Sequence, residues 1–297
     1  MNLGRYVFAQ VVDFVPRYLF NKIVSKYKGD FHARELNSYS QLLHLLFGQL
    51  TGCSPLHEIS LCLLARSDIL YHLGIRKTVR ISSLARANEK RDYHIFEESG
   101  LNLIQSVRPL YAKTSITDVC EENVLYALDS TTIKLAAWAL GKYSKGAVKM
   151  HALLDLRGSI PAQIHISDGK WHDSNMLELI FVTNNVDFPA IEIANIYRHR
   201  WDIEVFFKWI KQNICIKRLW GYSENAVKTH LWVAVCAYLL LAKVKHDYNS
   251  SCSVTEIASL IRLSALEKVP LRKPLSKPSE SINSNQNVKE PTLFDSL

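Results

Sequence analysis

The chain has 297 residues, 48% hydrophobic and 22% charged, the balance of a globular protein with length for one large domain or two smaller ones. Its net charge of +8 raises the odds of a nucleic-acid partner only modestly. The six cysteines lie far apart with no C-x-x-C pair, which argues against a zinc or disulfide framework and suits reduced thiols in a cytoplasmic protein.

The N-terminal stretch carries charges inside its apolar run, so it reads poorly as a signal peptide. Residues 1–75 read instead as helices. Apolar residues in "YVFAQVVDFVPRYLFNKIV" recur at helical spacing, with Pro16 as a kink or break. "SYSQLLHLLFGQL" follows a serine cap, and "SPLHEISLCLLARSDILYHLG" opens on Ser54 and Pro55 and stops at Gly74. Residues 76–118 form a basic helical connector, predicted helical from Ser83. Arg86 and Lys90 are four apart and share a face, and Arg91 follows. One reading of this segment is a solvated face beside a core; the other is a DNA-contacting helix.

From Val124 the period changes. "VLYAL" predicts a buried strand ending at Asp129. "VKMHALLDL" and "IPAQIHIS" flank the turn "RGS" and read as a hairpin. "DSNMLELI" predicts a helix capped by Asp173 or Ser174, and "FVTNN" a strand. A long helix follows, with Asp187 as cap and Pro189 in its first turn. Another runs from about Ser223 to Lys245. Its apolar run, Leu231 to Ala242, spans 12 residues, too few for a bilayer and suited to a buried helix. The tail, 270–297, is rich in Pro, Ser and Asn and is expected to be disordered.

The long helix holds "YRHRWDIEVFFKWIK". At about 100° per residue, Tyr197, Arg200, Glu204 and Lys211 fall on one stripe roughly 60° wide. Ile196, Ile203, Phe207, Ile210 and Ile214 wall one side, and Trp201, Val205 and Trp209 the other. A polar stripe between large apolar residues is not an ordinary solvated face, although an Arg200–Glu204 pair at i, i+4 could simply support the helix.

The spacing Y-x2-R-x3-E-x6-K resembles the signature of the IS-four group of DDE transposases, matched residue by residue by Tyr197, Arg200, Glu204 and Lys211. "YALDSTTIKL" is similar to the segment with that family's first catalytic aspartate, placing it at Asp129. "HISDGKWHD", "FVTNN", "FFKWIKQ" and "SENAVKTH" are also similar to stretches of its members. "YVFAQ", "FGQLTG", "YHLG" and "ANEKRDYHIFEE" resemble a helical domain of unknown function that precedes the catalytic domain in one branch. The resemblance implies an α/β fold: a ribonuclease H-like transposase domain over 119–246 behind an all-α N-terminal domain that binds DNA. It implies three carboxylates holding two Mg²⁺ ions for DNA cleavage and strand transfer. Asp129 and Glu204 would be the first and third carboxylates and metal ligands. Arg200 and Lys211 would grip phosphates, and Tyr197 would contact phosphate or orient Arg200. The partner implied is double-stranded DNA at transposon ends, with a homodimer on that DNA among the arrangements and no membrane.

The second aspartate has no place in this chain. Glu204 lies 24 positions after Ile180, a span that "FVTNN" and the glutamate helix nearly fill. The fourth strand, its aspartate and the β-rich insertion of the family are therefore expected to be missing, with an internal deletion near 179–181. Asp155, Asp168, Asp173 and Asp187 are the candidate substitutes, each with a plainer role, and His165 and His172 read as satisfied or solvated. The expectation is a catalytically defective DDE transposase that still binds DNA. The rivals are a nuclease repaired by a substitute carboxylate or partner chain, a DNA-binding regulator or inhibitor of an intact relative, and a relic without function.

Overall fold

A computed structural model describes residues 4–31, 33–53, 55–112, 126–134, 147–168, 201–213, 219–221 and 223–275. The expected elements around Asp173, Ser174, "FVTNN", Asp187 and Pro189, the junction at 179–181, and residues 276–297 of the tail lie outside them.

The helical part begins with α1 (Val7–Val12) and α2 (Arg17–Lys26). Pro16 falls between them, where its missing N–H and fixed φ break the helix. Next comes α3 (Ser38–Thr51), buried along most of its length. Its cap is Asn37, not the expected serine: the Asn37 side chain accepts a bond from Ser40 N at 2.7 Å. The helix ends at Gly52, whose φ of 77° favours glycine. The stretch expected as one helix from Ser54 to Gly74 divides into α4 (Leu56–Ala65) and a 3-10 turn, Leu70–Leu73. Two further helices, α5 (Ile81–Lys90) and α6 (His94–Val107), are separated at residues 91–93.

Three antiparallel strands follow in the order β1 (Tyr126–Lys134), β2 (Ala147–Asp155), β3 (Ile160–Asp168). The hairpin predicted around "RGS" is present, with Gly158 and Ser159 both at positive φ in its turn. Strand β1 does not end at Asp129. Its β-branched continuation Thr131–Thr132–Ile133 keeps pairing with β2 as far as Lys134 opposite Ala147.

The remaining helices are α7 (Trp201–Asn213), α8 (Glu224–Asp247), α9 (Val254–Ser264) and the short α10 (Arg272–Leu275). Ser223 caps α8 through Ala226 N, and Ser253 with Glu256 forms a reciprocal capping box on α9. Helix α8 has the length and hydropathy of a membrane span but is buried inside the fold. It packs against α6, α3, α5 and α9, and one hydrophobic core runs from Val7 to Leu275. The two ends of the helical part are also joined by backbone: Val7 N donates to Glu267 O at 3.1 Å and Phe8 N to Ala265 O at 3.0 Å. The tail does not loosen at Pro270. Leu271 and Leu275 are buried, and Leu271 N donates to Gln10 Oε1 at 2.9 Å.

On α8, His230 is fully buried and stacks on Trp220, ring centres 3.9 Å apart. Burial pulls its pKa from 6.5 down to about 3. The folded protein therefore holds this imidazole neutral, whereas the unfolded chain protonates it near pH 6.5. The stability this gives is full above pH 6.5 and drains away as pH falls toward 3. Thermal unfolding followed by circular dichroism should show a midpoint falling steadily from pH 7 to pH 4, and His230→Phe should flatten that dependence. A midpoint as pH-dependent in the variant as in the parent would refute the assignment.

Candidate functional site

Strand alternation places Asp129 on the same face as Ala127, Thr131 and Ile133, all three buried. Asp129 itself is half-buried, and one carboxylate oxygen accepts a bond from Ser130 N at 2.7 Å. A carboxylate on the core side of a strand is costly unless something compensates it, so the position suits a functional group better than a solvated one.

Helix α7 packs against β1 and α8. Ile203, Phe206, Phe207, Trp209 and Ile210 are buried; Glu204 sits half-buried at the edge of that face, and Lys211 is exposed. Tyr238 of α8 sets the helix position. The Phe206 and Trp209 rings each lie 5.0 Å from the Tyr238 ring, edge-on. The Tyr238 hydroxyl donates to Ser159 O in the hairpin turn at 2.9 Å, and Ser159 Oγ donates to Asp202 Oδ2 at 3.3 Å. Hairpin, α8 and the start of α7 are thus tied together beside the strand that carries Asp129. Tyr238 carries no sequence signal beyond its place in an apolar run.

The stripe on α7 is not walled on both sides as expected. Trp201 is 64% exposed and Val205 45% exposed, whereas Trp209 of the same flank is buried against Tyr238. Tyr197 and Arg200 lie outside the described residues.

Asp155 is unavailable as a substitute ligand. Its carboxylate is buried and accepts bonds from Arg108 Nε at 2.9 Å and from Arg157 Nε at 3.1 Å and Nη2 at 3.0 Å. Burial alone would raise this carboxyl, but the bonds from Arg157 and Arg108 outweigh it and hold the pKa below the ordinary value. Because Arg108 follows α6 and Asp155 ends β2, the pair joins the helical part to the sheet. Asp168 ends β3, opposite Val148 at the sheet edge. His165 lies with its ring 6.1 Å from that of His151. Asp173, Asp187 and His172 are outside the described residues.

Among the three basic residues expected to touch DNA, Arg86 and Lys90 are exposed on α5. Arg91 is not. Its side chain is 8% exposed and is spent inside the protein: Nε donates to Gly29 O at 2.8 Å, Nη2 to Leu36 O at 2.7 Å, and Nη1 to Gln41 Oε1. All three partners lie at least 50 residues away in sequence, so no local pattern announces the inward turn.

Comparison with known proteins adds the lineage. Residues 4–76 match the family described as a domain of unknown function (DUF4372), and residues 178–240 match the transposase DDE domain. The chain is 33% identical over 123 residues to "Putative transposase y4zB" of Sinorhizobium fredii, covering 41% of this chain and 29% of that protein. It is 42% identical over 71 residues to "Probable transposase for insertion sequence element IS5377" of Geobacillus stearothermophilus, covering 24% and 19%. It is 22% identical over 250 residues to "Putative transposase for insertion sequence element IS4SA" of Synechocystis, covering 56% and 72%. The chain thus spans less than a third of the first two relatives. No solved structure matches it. The described residues form a mixed α/β architecture with a three-stranded antiparallel sheet, and the segment matched to the DDE domain contains Glu204. The match to the DDE domain and these relatives, all named as transposases, support a DDE-type insertion-sequence transposase.

DDE transposase domains depend in general on divalent metal. Among the described residues no group of three or more His, Cys, Asp or Glu side chains could hold such an ion. Asp129 and Glu204 sit on packed neighbouring elements, but two carboxylates do not complete a two-metal ligand set.

Proposed function

We propose that this chain is an internally shortened transposase of the IS-four type that binds duplex DNA at transposon ends and has lost strand transfer. The observation that carries this reading is the alignment with the Synechocystis protein. It extends over 250 positions but uses only 56% of this chain's 297 residues, about 166, so about 84 positions of the relative have no counterpart. The match to the DDE domain begins at residue 178, beside the expected junction at 179–181. A missing block of that size would hold a strand, its aspartate and an insertion.

In this reading Asp129 and Glu204 are the first and third carboxylates, carried on β1 and α7, two elements that pack on each other. Tyr197, Arg200 and Lys211 face DNA phosphate. Mg²⁺, with its preference for hard carboxylate oxygens, is the ion that an intact set of three would hold. A role in occupying ends that an intact relative would cut is favoured over a relic by the closed core. The helices from both ends of the chain pack around α8 without using the junction. Sequencing the host locus against other copies of the element tests the reading. An intact copy should carry on the order of 80 further codons between Leu179 and Phe181, and full-length relatives lacking any extra segment there would refute it.

A further inference from the structure

We propose that the open groove between residues 27–36 and α5 is a seat for the phosphate backbone of duplex DNA. The groove encloses a volume of about 510 Å³, and its cationic lining includes Lys28, Arg34, Arg86 and Lys90. All four are exposed, and none of the four side chains has an ion-pair or hydrogen-bond partner among the described residues.

The acidic groups nearby are committed elsewhere. Glu35 faces Lys77 at 3.1 Å, and Asp92 pairs with His94 Nδ1 at 2.6 Å. Asp30 accepts Ser38 N at 2.6 Å and Ser38 Oγ at 2.7 Å. The groove therefore presents four cations whose charge is not cancelled from within. Arg86 and Lys90, one helical turn apart, project along the same side of α5. Lys28 and Arg34 stand on the facing wall, where Lys28 lies in a tight turn at φ 50°.

The two walls are fixed by the buried Arg91. It leaves the end of α5 and bonds to the carbonyls of Gly29 and Leu36 on the opposite wall, and to Gln41. Gln41 in turn donates to Asn88 Oδ1 at 2.7 Å, returning the network to α5. Arg91 is a positioning residue that holds the spacing of the cations rather than a DNA contact. An open groove with its back held by this network suits a repeating polyanion, and it lacks the enclosed apolar pocket of a small-molecule site.

This assignment rests on the DNA-binding reading above, and the experiment separates the two. Full-length protein is titrated against a labelled transposon-end duplex and a scrambled duplex of equal length, between about 50 and 200 mM salt. The parent protein is compared with Lys28→Ala/Arg34→Ala/Arg86→Ala/Lys90→Ala. A control, Lys22→Ala/Arg76→Ala/Lys245→Ala/Arg272→Ala, loses the same charge outside the groove. The groove variant should bind on the order of a hundredfold more weakly at low salt on both duplexes. Its log–log salt slope should flatten by about three to four, since each phosphate left without its cation removes about 0.9. The control should keep most of the parent's slope. Seven of the eight side chains are exposed and Lys245 is half-buried, and unchanged circular dichroism confirms that both variants fold. A parent protein that binds neither duplex sinks the DNA-binding reading and the groove with it. A parent that binds, with a groove variant no weaker than the control, sinks the groove alone.

Discussion

Purified protein incubated with Mg²⁺ or Mn²⁺ and labelled transposon-end duplex is expected to leave the DNA uncut. Paired metal ions stabilise both the attacking and the leaving oxygen of a phosphoryl transfer, and each needs fixed ligands. The chain offers Asp129 on the core face of β1 and Glu204 at the edge of α7, with no third donor grouped with them among the described residues. Asp155, a candidate substitute that ends the neighbouring strand β2, is bound by two guanidinium groups. A displacement of about 1 Å at a reacting centre already costs on the order of a hundredfold, and a missing ligand costs more. The rate should therefore sit at background and be unchanged by Glu204→Ala. Cleavage abolished by Glu204→Ala would mean that a substitute ligand exists and that the site works.

The second large effect concerns stability. Asp155→Ala should lower the unfolding free energy by about 3–5 kcal/mol, since it leaves Arg108 and Arg157 without the buried carboxylate between them. The loss is structural as well as electrostatic, because this carboxylate is where the turn after α6 meets the end of β2. Urea unfolding followed by tryptophan fluorescence measures it. A variant within about 0.5 kcal/mol of the parent, the range of ordinary surface substitutions, would show the pair to be dispensable.

Features written in short stretches were legible in the sequence. Pro16 breaks the first helix, Ser223 caps α8, the turn at 156–159 makes the hairpin, and the apolar run at 231–242 is buried. What failed to show depends on distant partners. Arg91 looks like a third member of a basic face until Gly29, Leu36 and Gln41 are brought beside it. The spacing on α7 groups Trp209 with Trp201 and Val205, but packing on Tyr238 buries Trp209 and leaves the other two exposed. Asp129 reads as a strand end because the apolar run stops there, but pairing with β2 carries the strand five residues further, to Lys134. Of the expected site residues, Asp129, Glu204 and Lys211 are described on β1 and α7, and Tyr197 and Arg200 fall outside the described residues.

The backbone bonds from Val7 and Phe8 to residues 265–267 make the order of synthesis matter. The first helices leave the ribosome long before α8 and α9, the elements they pack on, so the helical core cannot close until its last third has been translated. Everything between α6 and α8 is, for that core, a loop whose ends must meet. Loop closure depends only logarithmically on length, so removing some tens of residues from the middle changes the closure free energy by less than about 1 kcal/mol. A chain wound in this way can lose part of its catalytic half and still bring its two ends together.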